Sequence, residues 1–227
     1  MRTSKIGMYL VPDILIVVAT ALEAERLPAL PNARVVVSGI GAVGAALATQ
    51  RAILEVAPRL ILSAGIGGAY PWGAAAIGEV VVSSQLIYAG LGAEDGNRLL
   101  GLEELGFPLL ETPQRVYNVL PAAPQARAFA QATNAHLGAI LTLETVTGSP
   151  LSLERLRIAY PDALCEAMEG AGVAHAGALH GIPTFEVRGI SNMVLDRRDR
   201  DSWRIGAALT ALHTALEAGW DALRLEI

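Results

Sequence analysis

Asp162–Asp199 reads DALCEAMEGAGVAHAGALHGIPTFEVRGISNMVLDRRD. A run of small residues with acids at its start, Glu166 and Glu169, predicts a helix. Gly181-Ile182-Pro183 predicts a tight turn. Thr184–Ile190 then predicts an apolar strand, followed by a polar cluster of Ser191, Asn192, Asp196, Arg197, Arg198 and Asp199. Helix, turn and strand in this order belong to an α/β sheet, where ligands sit beyond the carboxyl ends of strands. A strand that carries Arg188 and runs into Ser191-Asn192 therefore predicts one wall of a binding site.

The same grammar holds upstream. Ile14–Ala19 is an unbroken apolar run rich in Ile and Val, as expected of a central strand buried on both faces. Thr20 ends it and caps a short helix over Ala21–Leu27, with Glu23 placed for a capping box. Glu25 lies one turn into that helix, close to the strand's carboxyl end. Composition alone reads it as part of a solvated helix face, since acids favour first turns.

Arg34–Ser38 predicts a second strand and Ala45–Val56 a helix, joined by Gly39-Ile-Gly41-Ala-Val-Gly44. This G-x-G-x-x-G raises a dinucleotide reading, which needs an acid about 20 residues further on to hold a ribose. The next strand, Arg59–Ser63, ends without one. The glycines instead predict close packing of the helix, with backbone N–H groups left for a ligand. Ser63–Ala69 is a second glycine-rich strand end that a ligand can approach closely, and it lacks the Lys or Arg of a phosphate cradle.

Further strands are expected at Gly78–Tyr88 and Leu137–Leu143, and helices at Pro121–Thr133, Ser152–Ile158 (capped by Ser152) and Asp201–Leu225. Between Ala89 and Pro121 the pattern weakens, as in an insertion or a mobile region. Glu144–Ser149 forms a polar rim.

The 227 residues are 52% hydrophobic, which fits one α/β domain spanning 1–227. A net charge of -5 with no basic run argues against a nucleic-acid partner. No apolar run approaches the roughly 20 residues of a membrane span, and the first thirteen residues lack the core of a signal peptide, so a cytoplasmic protein is expected. Cys165, the single cysteine, reads as a small buried hydrophobe in a helix. His175 and His180 are five positions apart, off the spacing that sets two ligands on one helix face, and no metal site or cofactor is expected.

Together the strand ends collect Glu25, the glycine loops, Glu144–Thr147, Met168-Glu169, Arg188 and Ser191-Asn192. Such a set suits a neutral sugar and a heterocycle, because a carboxylate accepts well from two vicinal hydroxyls.

The order ALEAE, SGIG, AGIGG, TGS, AMEGAGVA and VRGISN resembles the nucleoside phosphorylase and nucleosidase superfamily from about Ile14 to Leu223. Its most specific part is the MEGA segment followed by VRGIS. Within that superfamily the chain looks most like the futalosine hydrolases, nucleosidases of the alternative menaquinone pathway. The resemblance implies a three-layer α/β/α sandwich with a mixed central sheet, a small-molecule nucleoside substrate, no cofactor, and a homodimer or higher homo-oligomer. Carried over by position, it implies Glu25 as the acid that activates water, Met168 and Glu169 at the ribose, Arg188 beside the water, and Thr145 and Val146 at the base. Gly65 lies in the loop beside the ligand and Ser191 next to the base-binding Asn192.

Two departures are informative. Asn192 stands where adenine-specific nucleosidases have Asp; an amide donor suits N7 and a 6-oxo acceptor, and so hypoxanthine-type bases. Ser63 stands where family phosphorylases hold phosphate with Arg, which favours water as nucleophile. The expected reaction is hydrolysis of futalosine to hypoxanthine. The rivals are a methylthioadenosine/S-adenosylhomocysteine-type nucleosidase, a purine nucleoside phosphorylase, and a binding module without chemistry. The retained Glu25, Glu169 and Arg188 argue against the last. The Arg197-Arg198-Asp199 loop is expected to order a lid, to meet a substrate carboxylate, or to be solvated.

Overall fold

The computed structural model describes residues 13–96, 98–111, 114–194 and 203–223. Strand β1 (Ile14–Val18) is buried at every position, as its unbroken Ile/Val run requires. It lies parallel between β2 (Ala33–Val37) and the first half of β3 (Leu60–Ala69). Helix α1 (Ala21–Arg26) follows β1, and α2 (Ala42–Val56) joins β2 to β3. After β4 (Val80–Tyr88) come two hairpins, β5 (Ala93–Asp95) with β6 (Arg98–Leu100) and β7 (Leu110–Glu111) with β8 (Arg115–Val116). A single helical turn, α3 (Leu102–Leu105), separates them. The chain continues through β9 (Val119–Pro121), α4 (Gln125–Thr133), β10 (His136–Thr142), α5 (Pro150–Ala159) and β11 (Ala163–Ala167). It ends in α6 (Gly170–Leu179), β12 (Thr184–Met193), α7 (Ile205–Gly219) and a 3-10 turn at Trp220–Leu223.

The main sheet runs β11-β10-β4-β12-β3-β1-β2, with β9 on β4. It is mixed: β12–β4, β4–β9 and β11–β3 are antiparallel. The last pairing sets Cys165 opposite Ala69 and Glu166 opposite Gly68. It closes β3, β12, β4, β10 and β11 into a ring at one end of the sheet. Alternate residues of the strands feed two helical layers. On one face α2 and α6 pack over Leu15, Val17 and Ile61. On the other, α1, α4 and α7 pack over Ile16, Leu62 and Phe185. This is the expected three-layer α/β/α sandwich.

The structure departs from the sequence expectation in three places. Ala163–Ala167 is a strand, so Cys165 and Glu166 lie in the sheet and α6 begins only at Gly170. A short apolar run does not reveal by periodicity whether it is strand or helix. The AGIGG segment is not a loop at a strand end: β3 continues through it to Ala69, paired with β12. Helix α5 is capped by Ser149, whose Oγ accepts from Ser152 N, with Pro150 in its first turn. The weakly patterned stretch from Ala89 to Pro121 is built of short hairpins and turns. Arg197, Arg198, Asp199 and Asp201 lie outside the described residues.

Small residues set the spacing of the layers. A methyl group at Gly172 of α6 would stand 2.1 Å from the Ala42 carbonyl oxygen of α2. Gly172→Ala is therefore expected to cost about 1–3 kcal/mol of stability in urea unfolding. Gly206→Ala, in a helical site facing open space, should be neutral or slightly stabilising. Equal midpoints for the two variants would contradict the close α2–α6 contact.

Candidate active site

A cavity of about 380 Å³ opens at the carboxyl ends of β1 and β11, against the glycine-rich half of β3. Thr20, Glu23, Gly67, Val146, Met168, Glu169, Arg188, Ser191, Asn192 and Trp203 are among the residues lining it. Much of its wall is apolar, and its polar groups converge from separate elements.

Glu23 arrives from α1. The predicted capping box forms: Glu23 N donates to Thr20 Oγ1 at 3.2 Å, and Glu23 Oε2 accepts from Thr20 N and Oγ1, both at 2.9 Å. The other oxygen, Oε1, accepts from Ile66 N on β3 at 3.1 Å. These bonds hold a 5%-exposed carboxylate at the edge of the cavity.

Arg188 comes from β12 and is buried. Its Nε donates to Glu186 Oε1 at 2.6 Å, and its Nη2 meets Glu169 Oε2 at 3.1 Å. Nη2 also lies 3.3 Å from Ser63 Oγ, and Nη1 donates to the Ile66 carbonyl at 3.3 Å. Burial opposes the arginine's charge, but Glu186, Glu169 and Glu23 outweigh it and raise the guanidinium pKa above its usual value.

Beyond Arg188, β12 carries a bulge: Ile190 pairs with Gly67 and Asn192 with Gly68, leaving Ser191 as the extra residue. A bulge re-aims side chains, and here both Ser191 and Asn192 reach the cavity. Ser191 Oγ lies 2.8 Å from Asn192 Oδ1 and 3.1 Å from the Gly67 carbonyl. Asn192 Nδ2 donates to the Met193 carbonyl at 3.1 Å, which leaves its second hydrogen for a ligand.

The N-terminus of α2 is not open to a ligand. Gly41 N donates to Glu169 Oε1 at 3.3 Å and Ala42 N donates to Glu144 Oε1 at 3.0 Å. The amides on which a dinucleotide's pyrophosphate would rest are held by the chain's own carboxylates. Of the glycines in this motif, Gly44 alone lies against backbone, at the Ser38 carbonyl; a methyl group at Gly39 would meet open space and one at Gly41 the Glu144 carboxylate.

Of the residues singled out from sequence, Val146, Met168, Glu169, Arg188, Ser191 and Asn192 meet in this cavity. Gly65 lies beneath it, where a methyl group would stand 2.5 Å from both Arg188 Nη1 and Glu23 Oε1. Thr145 is exposed and lines an adjoining cavity of about 910 Å³ that shares Ile40, Val146 and Met168 with the first. Glu25 is not in the site. It is exposed on α1, and the acid that faces the cavity is Glu23. Residues two apart on a helix point roughly 200° away from each other, so one of the two acids had to face out. The capping box was the legible signal, because the acid that folds back on Thr20 also turns inward. Thr20, Ile40 and Trp203 also line the cavity and were not anticipated.

A family model described as the phosphorylase superfamily matches residues 14–218. The chain is also 36% identical, over 204 residues, to the futalosine hydrolase of Acidothermus cellulolyticus, covering 83% of this chain and 77% of that protein. The chain belongs to the phosphorylase superfamily, and within it to the futalosine hydrolase family. Identity to the futalosine hydrolase of Streptomyces coelicolor is 46% over 157 residues, covering 69% of this chain. That match spans 63% of the relative's length, less than two thirds. The fold matches the methylthioadenosine/S-adenosylhomocysteine nucleosidase of Colwellia psychrerythraea, crystallised with adenine, at a TM-score of 0.77. Identity there is 20%, with 94% of this chain and 96% of that chain covered.

One wall of the cavity hangs on a buried acid. Glu166 accepts from Tyr70 Oη at 2.9 Å, from Thr147 N at 2.9 Å and from Thr147 Oγ1. Burial, then the neighbouring Glu166 charge, push the Tyr70 pKa well up, so its hydroxyl remains a donor across the working pH range. Tyr70→Phe removes one donor from a buried carboxylate and is expected to lower stability by about 1–3 kcal/mol. Thermal or urea unfolding measures this, and an unshifted midpoint would show that Glu166 is held without it.

Proposed function

We propose that this chain is an N-glycosyl hydrolase that releases hypoxanthine from futalosine, a step of menaquinone biosynthesis. The observation that carries the reading is the convergence of Glu23, Arg188 and Glu169 on one cavity that the Asn192 side chain also lines, three residues further along β3 from the Arg188 pairing. The relatives named futalosine hydrolase, at 46% and 36% identity, support the substrate.

Glu169 is anchored by Arg188 Nη2 and Gly41 N and retains lone pairs for two vicinal ribose hydroxyls. Val146 and Met168 border the nucleoside. Asn192 donates from Nδ2 to the purine, and Ser191 at its Oδ1 keeps the amide in that orientation. A 6-oxopurine leaves with the electron pair of the C1′–N9 bond, and a donor aimed at the departing base stabilises that charge. Water then bonds to C1′ of the oxocarbenium-like sugar and gives its proton to Glu23. The purine anion takes a proton from solvent.

Water is favoured over phosphate by the charge of the site. Arg188 is the one basic residue among the described residues lining the cavity, and Glu169 and Glu186 already neutralise it. A phosphate dianion would face Glu23 and Glu169 with no cation to spare. A homo-oligomeric state is supported by Val43, Leu47 and Leu54, which form an exposed apolar stripe along α2 at helical spacing. A cytoplasmic location fits the single buried thiol, Cys165.

Two tests follow. Purine release is assayed from futalosine, inosine and methylthioadenosine, each with and without phosphate. Phosphate-independent release of hypoxanthine from futalosine is expected. Phosphate-dependent cleavage of inosine would make the chain a phosphorylase, and adenine release would remove the role given to Asn192. In the second test, Glu23→Gln is expected to lower kcat by about 10²–10⁴ while the chain still folds, with a lower melting temperature. Glu25→Gln should turn over like the unaltered chain. The reverse pattern would return the base to Glu25.

A further inference from the structure

Glu186 has no task in the mechanism above, yet it is wholly buried at the centre of β12. Its backbone N–H donates to Ser83 Oγ on β4 at 2.8 Å. Its Oε1 accepts from Arg188 Nε, and its Oε2 has no hydrogen-bond partner among the described residues. The carboxyl group lies against Gly170, the first residue of α6, where a methyl group would stand 1.9 Å from Oε2. Room for a carboxylate is thus kept in the sheet by an absent side chain. An apolar residue in that place would avoid the cost of taking a charge out of water. A group retained at such cost needs a reason in its neighbours.

The neighbour is Arg188. Residues two apart in a strand share a face, so Glu186 reaches Nε from alongside. A guanidinium is planar, and fixing Nε fixes where both Nη groups point. With Nε held at 2.6 Å, Nη2 faces Glu169 and Ser63, and Nη1 faces the Ile66 carbonyl beside Glu23.

We propose that Glu186 is a positioning residue: it holds Arg188 by Nε so that the two Nη groups address Glu169 and the Glu23 edge of the cavity, and it absorbs part of the arginine's charge that would otherwise bear on Glu23. The proposal rests on the hydrolase reading for the role of Glu23.

The charged and titratable groups around Glu186 are Arg188 on its own strand, Glu169 at the start of α6 and Cys165 on β11. Burial above all raises the Glu186 pKa, Arg188 opposes that, and Glu169 adds to it. The 2.6 Å contact with the guanidinium is a charge-assisted hydrogen bond. Removing its charge leaves Arg188 to act more strongly on Glu23, which favours the ionised base. The acidic limb of the rate profile then moves to lower pH.

The experiment compares Glu186→Gln and Glu186→Val with the unaltered chain, measuring kcat and KM across pH and the melting temperature of each. Gln keeps an acceptor for Nε without the charge; Val removes both. Glu186→Val is expected to lose about 100-fold in kcat, as a displaced catalytic group does, with a smaller change in KM. Glu186→Gln should lose far less and show its acidic limb at lower pH. The proposal is overturned if the limb of Glu186→Gln stays in place, or if Gln and Val depress kcat equally. Should the Val variant not fold, the limb of Glu186→Gln decides alone. The hydrolase reading fails separately, if the unaltered chain releases no purine without phosphate. The variant comparison is then made on whichever nucleoside it cleaves.

Discussion

The structure depends on one buried guanidinium. Arg188 lies in the middle of the sheet, where an unpaired charge would cost more than the marginal stability of a domain allows. Its partners come from separate parts of the chain: Glu186 from the same strand, Glu169 from the junction of β11 and α6, and Glu23 from the helix after β1. Each must be in place for the charge to be tolerated, so packing of the core and assembly of the site are one event. Truncating one member of such a set typically costs about 3–5 kcal/mol.

Glycine makes the arrangement possible. Gly65 lets the Arg188 and Glu23 side chains meet above β3, and Gly170 gives the Glu186 carboxyl its room. At Gly41, φ is +96°, which turns the chain so that successive amides reach Glu169 and Glu144. A motif suited to binding phosphate is thereby used to orient two of the chain's own carboxylates. The same atoms that fix Glu169 close the anion site.

The bulge at Ser191 is the second device. Regular alternation would place Ser191 and Asn192 on opposite faces of β12. The extra residue brings both to the cavity, where the serine hydroxyl governs how the amide is presented. The presentation of the amide to the cavity is in this way written into backbone irregularity as well as side-chain identity.

What the sequence by itself determined is what local chemistry decides. The Ile/Val run of β1, the Thr20–Glu23 capping box and the α2 helix behind its glycines were legible, because each rests on near neighbours; Met168, Glu169, Arg188 and Asn192 were singled out through the resemblance to the family. Only the tertiary structure decided between Glu23 and Glu25, since both suit a first helical turn and the choice depends on which face α1 lays on β3. It also made Ala163–Ala167 a strand, because β3 and β10 offer their edges to a segment too short to declare its own period. It carried AGIGG through the sheet, where glycine is normally weak, because β12 pairs along its length and buried acids need the space. Glu186 carries no local signal at all; its meaning comes from the guanidinium that folding sets beside it.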